Sequence, residues 1–193
     1  MIKSISIFFI SLLFLISCQP SLEDSKVKQI IGNEVVTENG KHFKFDGLGK
    51  NGTTSFFLVR HAEKQEGDDP DLTQKGVERA KRLATILKEV PLKTIFSTDT
   101  KRTRATVAPI AELLNLEIVN YSAENQIDLI ESTLKYGAGD NYLIVGHSNT
   151  IPNILNLFKG KKVYENIDGS IYDDLFVVIT KPGEDTQIIE LKY

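Results

Sequence analysis

The sequence predicts an α/β fold: a three-layer αβα sandwich with a mostly parallel central sheet, plus a small N-terminal β-hairpin. Short apolar runs of strand length alternate along the chain with longer segments whose apolar residues recur at helical spacing. Such alternation is typical of helices that cover both faces of a parallel sheet. The 193 residues, 41% hydrophobic and 25% charged, are enough for one globular domain with a sizeable core.

The N-terminal segment departs from this globular composition. Lys3 precedes an apolar run over residues 5–16, which is shorter than the roughly 20 residues of a membrane-spanning helix but suits the about 7–15 residues of a secretory signal core. Residues 15–18, Leu-Ile-Ser-Cys, follow it and resemble the lipobox of bacterial lipoproteins. Cys18 is the only cysteine, so no disulfide can form within the chain and the thiol is free for acylation.

We therefore expect a lipoprotein signal peptide over residues 1–17 and a lipid on Cys18. The protein would be an exported bacterial lipoprotein, anchored to a membrane in the periplasm or at the cell surface. A plain signal peptide with an incidental cysteine, or an uncleaved anchor, is the alternative.

A polar tether and a small hairpin are expected between the signal and the main domain. Residues 18–26 form the lipidated tether. Residues 34–38 and 41–45 flank an Asn-Gly pair, which is the strongest short-range signal for a hairpin turn. We assign residues 27–53 to this accessory hairpin and a glycine-containing linker.

The main domain is predicted over residues 54–193. It opens on the run 55–59, Ser-Phe-Phe-Leu-Val, which suits a central parallel strand buried on both faces. Residues 72–90 carry apolar side chains on one helical face, with Thr73 placed as the N-cap. The remaining elements follow in order: strand 94–97, helix 100–114, strand 117–119, helix 125–136, strand 142–146, helix 151–158, and strands 175–179 and 187–191.

The overall charge argues against a nucleic-acid partner. The formal net charge is −3, which is small and of the wrong sign to attract a polyanion. A local basic pocket for a small anion remains compatible with it.

Basic side chains cluster where strands of the predicted sheet end, which is where open α/β sheets bind ligands. Three strand ends are rich in such residues: 60–64, 97–106 and 146–149. The chain has only three histidines, and two of them follow the two strands that look most buried. Guanidinium groups match phosphate oxygens, so these residues predict a phosphoryl site: Arg60, His61, Arg102, Arg104 and His147.

Four ordered motifs also resemble the histidine phosphatase superfamily, whose members are phosphoglycerate mutase-like. Residues 58–64 are similar to its Arg-His signature, and residues 71–80 to its L-T-x-x-G-x-x-x-A helix start. Residues 97–106 contain its second arginine motif, in which arginine stands four positions before threonine. Residues 143–148 resemble its second histidine motif, so the resemblance spans about residues 54–180.

The resemblance implies a role for each of the predicted site residues. His61 would attack phosphorus and form a phosphohistidine, while Arg60, Arg102 and His147 would bind the phosphoryl oxygens. Arg104 is a weaker candidate for substrate binding. The implied substrate is a phosphorylated small molecule, and the implied activity is that of a phosphoric monoester hydrolase.

The general acid that protonates the leaving oxygen is not identified by any motif. Glu63, Glu124 and Asp128 are the candidates. No cofactor or metal is expected, because two guanidiniums and a second imidazole can stabilise the transferring phosphoryl group, and the chain lacks the histidine and cysteine ligands of a typical metal site.

Two other functions stay open from the residues alone. Residues 146–150, Gly-His-Ser-Asn-Thr, partly match the nucleophile elbow of an α/β-hydrolase esterase with Ser148 as nucleophile. Against it, Thr150 replaces the second glycine and no histidine follows His147. A lipid-anchored module that binds phosphoesters without turnover is the second alternative. Substrate identity depends on loops 65–70 and 159–173, and neither it nor the oligomeric state follows from the sequence.

Overall fold

The structure, a computed structural model, describes residues 25–50 and 52–193. The predicted signal peptide, Cys18 and most of the tether lie outside the described residues. Within residues 25–50 and 52–193, no helix has the length and apolar character needed to cross a membrane.

The described chain forms strands and helices in nearly the predicted order. Element bounds agree with the predicted ones to within about three residues, as expected for ends that fray. The elements are β1 (Val27–Ile31), β2 (Glu34–Thr37), β3 (His42–Lys44), β4 (Thr54–Arg60), α1 (Gln74–Leu87), β5 (Leu92–Ser97), α2 (Lys101–Leu114), β6 (Ile118–Asn120), α3 (Gln126–Tyr136), β7 (Asn141–Gly146), α4 (Thr150–Lys159), β8 (Asp174–Thr180) and β9 (Gln187–Lys192).

The main sheet has six strands in the order β6-β5-β7-β4-β8-β9. β6, β5, β7 and β4 pair in parallel, whereas β8 pairs antiparallel with β4 and β9 antiparallel with β8. Leu175, near the start of β8, lies opposite Val59, near the end of β4. The loop over residues 160–173 therefore remains at the edge where the parallel strands end, which is where the site was predicted.

Helices cover both faces of this sheet and bury it in two layers of core. Every residue of β4 is buried, and alternate β4 residues join different clusters because successive strand side chains point to opposite faces. Phe57 packs with buried residues of α1 and α2, and Phe56 with those of α3 and α4. The predicted three-layer α/β fold is confirmed.

The N-terminal hairpin is part of a three-stranded antiparallel sheet. β2 and β3 pair around the predicted Asn-Gly turn, with Val35 opposite Phe43, and Gly40 adopts a φ of 77°. β1 adds a strand that was not predicted, because its run Val-Lys-Gln-Ile-Ile lacks strict alternation. Val27 and Ile30 of β1 are fully buried in the core cluster that includes α1, so this sheet packs on the main domain.

Candidate active site

The strand order brings the predicted residues to one edge of the sheet. β5, β7 and β4 are neighbours, and each is followed by one of the three polar segments. The backbone N–H of His61 donates to the carbonyl of Gly146 at 2.9 Å, which joins the first and last of these segments directly.

His61 is held as a neutral imidazole with one nitrogen free. Its side chain is 3% exposed, and Nδ1 lies 2.8 Å from the carbonyl oxygen of Ala62. A carbonyl only accepts, so Nδ1 carries the proton and Nε2 keeps its lone pair. Burial lowers the pKa of His61 to about 4, aided by the positive charges of Arg60 and Arg102 and by His147, against the opposing bond to Ala62. At pH 7 the ring is therefore unprotonated at Nε2 and can act as a nucleophile.

The turn that carries His61 is fixed to α2 by Thr106. The backbone N–H of Ala62 donates to Thr106 Oγ1 at 2.9 Å, and Thr106 Oγ1 donates to the carbonyl of Arg102 at 2.7 Å. The four-residue spacing of Arg102 and Thr106 in this motif therefore has a structural cause. The two residues lie one helical turn apart on α2, so that Thr106 can hold the turn carrying His61 while Arg102 lies beside the site.

Glu63 fixes the same turn to α1. Arg79 donates to both carboxylate oxygens, at 2.8 Å and 2.7 Å, and Lys75 lies 3.3 Å away. Burial alone would raise the pKa of Glu63, but the Arg79, backbone and Lys75 hydrogen bonds together lower it to about 2. Glu63 is thus ionised at neutral pH and is not suited to be the general acid. Gly76 is required at this contact, because a Cβ there would lie 2.1 Å from the Glu63 carbonyl oxygen.

Arg60 connects the site to the loop over residues 160–173. Its Nη1 donates to the carbonyls of Asp168, Gly169 and Ile171 at 2.9, 3.2 and 2.8 Å, and its guanidinium carbon lies 4.1 Å from the ring centroid of Tyr172. Nε is buried and has no hydrogen-bond partner within the described residues. Arg60 therefore orders this loop while keeping hydrogen-bonding capacity for a ligand.

Arg102 stands in the first turn of α2 with a weak partner. Its Nη1 lies 3.4 Å from Asp69 Oδ1, a long distance for a hydrogen bond, and the Asp69 side chain is 47% exposed. Asp69 also accepts the backbone N–H of Lys101 at 3.0 Å. An ion pair this long and exposed is worth little, so the guanidinium is available to an anionic ligand.

His147 faces His61 across the site. The two ring centroids are 5.6 Å apart, and His147 Nε2 lies 2.9 Å from Thr98 Oγ1. Burial lowers the pKa of His147 to about 4, assisted by the charges of Arg102 and Arg60. The charges of Arg60 and Arg102 thus act on both imidazoles, and the contact of Thr98 with His147 was not predicted from the sequence.

Arg104 points elsewhere, to the end of β6. Its Nη1 donates to Asn120 Oδ1 at 2.6 Å and lies 4.0 Å from Asp99. The other two candidates for the general acid, Glu124 and Asp128, are exposed.

Within residues 25–50 and 52–193, the Ser148 side chain makes no hydrogen bond to a histidine. Its backbone carbonyl accepts from the Ile167 N–H at 2.9 Å, and the two site histidines bond the Ala62 carbonyl and the Thr98 hydroxyl instead. The structure does not favour the esterase alternative.

Within residues 25–50 and 52–193, no group of three or more histidine, cysteine, aspartate or glutamate residues is arranged to hold a metal ion.

Known proteins are similar to part of this chain. The model of the histidine phosphatase superfamily (branch 1) matches residues 56–129. Phosphoserine phosphatase 1 of Hydrogenobacter thermophilus is 39% identical over 79 residues, which are 37% of this chain and 37% of that protein. The match thus spans little more than a third of the curated relative.

Solved structures share the fold over a longer part of the chain. A mycobacterial glucosyl-3-phosphoglycerate phosphatase matches with a TM-score of 0.61 at 12% identity, covering 72% of this chain and 99% of that one. The protein histidine phosphatase SixA, solved with tungstate, matches with a TM-score of 0.59 at 14% identity, covering 72% and 96%. At these identities the likeness establishes the fold. Over residues 56–129 the chain is similar to the histidine phosphatase superfamily (branch 1), as the sequence motifs predicted.

Proposed function

We propose that this protein is a phosphohydrolase that cleaves a phosphate monoester, or a similar phosphorylated compound, through a phosphohistidine on His61. The observation that carries the proposal is the free Nε2 of His61, on a ring whose pKa is lowered to about 4 by burial and by the neighbouring Arg60 and Arg102. A neutral imidazole beside two guanidiniums combines a nucleophile with positive charge for the group that it attacks.

The reaction would run in two displacements at phosphorus. His61 Nε2 forms a bond to phosphorus while the bond to the leaving oxygen breaks, and that oxygen takes a proton from the general acid or from solvent. Water then attacks the phosphohistidine and gives up a proton to the same acid's conjugate base or to solvent, the nitrogen–phosphorus bond breaks, and phosphate leaves. Arg60, Arg102 and His147 would hold the phosphoryl oxygens in both steps, so that the in-line geometry is kept.

The substrate is proposed to be a small molecule, held against a loop that is already ordered. The loop over residues 160–173 is fixed by Arg60 at one end and by Asn156 at the other, whose side chain bonds the backbone of Val163 and Tyr164 at 2.8 to 2.9 Å. Tyr172 from this loop lies 5.9 Å from the His61 ring. An aromatic side chain here would contact the leaving group and contribute to substrate choice.

A panel of phosphate esters tests the proposal. The protein should be produced from Gln19 onward, which removes Cys18 but keeps Ser25, whose hydroxyl accepts from Asn39 at 2.7 Å. Release of phosphate from p-nitrophenyl phosphate, phosphoserine and sugar phosphates should be compared with binding of the same esters by calorimetry. Binding without release would instead support the alternative of a phosphoester-binding module.

Chelation should leave this activity unchanged. Arg60, Arg102 and His147 already supply the positive charge that a divalent ion provides in other phosphotransferases. Turnover of p-nitrophenyl phosphate should therefore be the same in EDTA and in buffer with added magnesium. Loss of turnover in EDTA, restored by one particular metal, would contradict the proposed mechanism.

We further propose that Cys18 carries a lipid that anchors the enzyme to a membrane. The support is the lipobox-like sequence at residues 15–18 and the absence of any other cysteine from the chain. Multiple acyl chains would be needed, because a single chain holds a protein only marginally.

Cys18→Ser should abolish acylation and processing at this position, because both depend on the thiol. Cells expressing either form should be labelled with a radioactive fatty acid, with Ser21→Ala as a control that leaves the cysteine in place. Label in the wild type and in Ser21→Ala, but not in Cys18→Ser, is expected. Equal label in all three proteins would exclude the lipid on Cys18.

A further inference from the structure

Thr98 is a buried hydroxyl that contacts the second histidine of the site. It lies just beyond β5, is 2% exposed, and its Oγ1 is 2.9 Å from His147 Nε2. This contact uses one of the two ring nitrogens of His147. Nδ1 is therefore the nitrogen left for a ligand.

A second threonine lies behind the first. Thr103 is 0% exposed, and its Oγ1 lies 3.1 Å from Thr98 Oγ1. The same oxygen lies 2.8 Å from the carbonyl of Thr98 and 3.0 Å from that of Thr100. Because carbonyls only accept, the Thr103 hydroxyl donates to one of them, and its oxygen can accept a hydrogen bond from Thr98.

This arrangement allows Thr98 to form a hydrogen bond with His147 whether the ring is neutral or protonated. When the ring is neutral with its proton on Nδ1, the Thr98 hydroxyl can donate to Nε2. When the ring is protonated on both nitrogens, Thr98 can accept a hydrogen bond from Nε2–H and donate one to Thr103 Oγ1. In both states Nδ1–H is available to donate to an anion, and no buried nitrogen is left without a partner.

The charges around His147 determine whether its ring is protonated on both nitrogens. The positive charges of Arg102 and Arg60 oppose protonation of the His147 ring, and the His61 ring beside it is neutral. A bound phosphoryl dianion would offset the two guanidiniums, and the proton would come from solvent or from the monoanionic form of the ester.

We propose that Thr98 is a positioning residue, which with Thr103 fixes the Nε2 of His147 so that Nδ1–H is presented to the phosphoryl group. This inference rests on the proposed function, and it assigns a role to a residue to which the superfamily motifs quoted above assigned none. Thr98 itself is not expected to touch the substrate.

Thr98→Val is the main test, because valine keeps the shape and removes the hydroxyl. The expected result is a fall in kcat of about tenfold to a hundredfold with a smaller change in KM, since a buried ring nitrogen loses its partner. Thr98→Ser should restore most of the activity. Thr100→Val is the matched control: its hydroxyl lies 2.8 Å from Thr103 Oγ1, does not contact His147, and makes no capping bond to α2.

Nitrogen-15 chemical shifts of the histidine side chains report directly on the hydrogen bond to His147. They would not change if Thr98 only contributed to the stability of the fold. With inorganic phosphate added, His147 Nε2 of the wild type should show the chemical shift of a hydrogen-bonded nitrogen. Thr98→Val should change the His147 signals and leave those of His42 unchanged.

The possible failures are distinguishable. If the wild type turns over no phosphate ester, the proposed function is wrong, whereas the spectra still report on the hydrogen bond to Thr98. If the wild type is active, and Thr98→Val matches it in kcat and in the His147 shifts, this inference is wrong and the proposed function stands. Should Thr98→Val not fold, the wild-type spectrum decides: a His147 Nε2 without a hydrogen bond in the phosphate-bound protein would overturn the inference.

Discussion

His61→Ala is expected to reduce the turnover of p-nitrophenyl phosphate by about 10³-fold or more, as removal of a covalent nucleophile does in other enzymes. The His61 ring presents an unprotonated nitrogen, and His147 Nε2 is bonded to Thr98 instead. p-Nitrophenolate leaves without help from a general acid. Steady-state kinetics therefore measure the nucleophile alone, before the acid is identified.

Binding of phosphate analogues should survive this change in part. Arg60, Arg102 and His147 remain to hold the oxygens, and α1 and α2 still fix the turn through Glu63 and Thr106. Calorimetry with vanadate should therefore detect binding to His61→Ala. Phosphate trapped on the protein during turnover should be acid-labile and base-stable in the wild type and absent from the variant.

Ser148→Ala and His42→Ala are the matched controls. Ser148 follows His147 directly, and His42 is an exposed histidine on β3 that bonds Glu34. Both variants should keep most of the activity. If His61→Ala instead stayed within a few-fold of the wild type, or Ser148→Ala were inactive, the nucleophile would have to be sought at His147 or Ser148.

Much of the fold could be predicted because its signals are local. The buried run of β4 and the apolar face of α1 are contiguous in sequence, and the predicted cap of α1 is formed, with the Gly76 N–H donating to Thr73 Oγ1 at 3.1 Å. β1 was missed because its strand character comes from pairing with β2 and packing against α1. The antiparallel direction of β8 likewise depends on where a long loop returns to the sheet.

Site residues that follow the same strand could also be predicted, because they are close in sequence. Contacts between residues that are distant in sequence could not. Arg60 and His61 are adjacent in sequence, whereas the carbonyls that order Arg60 are more than a hundred positions away. The contact of Thr98 with His147 spans 49 positions. The ion pair that keeps Glu63 ionised depends on Arg79, which lies 16 positions further along the chain.

Arg102→Ala is expected to lower kcat/KM by about 10²- to 10³-fold, the range seen when one donor to a developing oxyanion is removed. Within the part of the chain that the structure describes, its guanidinium has only the long contact to Asp69 as a side-chain partner. An exposed pair of this kind contributes little to stability, so thermal unfolding should change little and the loss can be attributed to the phosphoryl group. Vanadate affinity should fall together with kcat/KM.

Two further variants serve as controls. Arg102→Lys tests whether the charge at this position is enough without the guanidinium geometry, and Arg104→Ala tests whether a nearby arginine on α2 has the same effect. Lysine keeps the charge but lacks the planar fork that matches two phosphate oxygens, so Arg102→Lys should recover only part of the lost activity. Arg104 lies two positions along α2, but its guanidinium bonds Asn120 at 2.6 Å instead of facing His61. Its replacement should stay within roughly threefold of the wild type, as for an ordinary surface change. A loss in Arg104→Ala equal to that in Arg102→Ala would show that the phosphoryl group is held by the other arginine, and that the site extends toward β6.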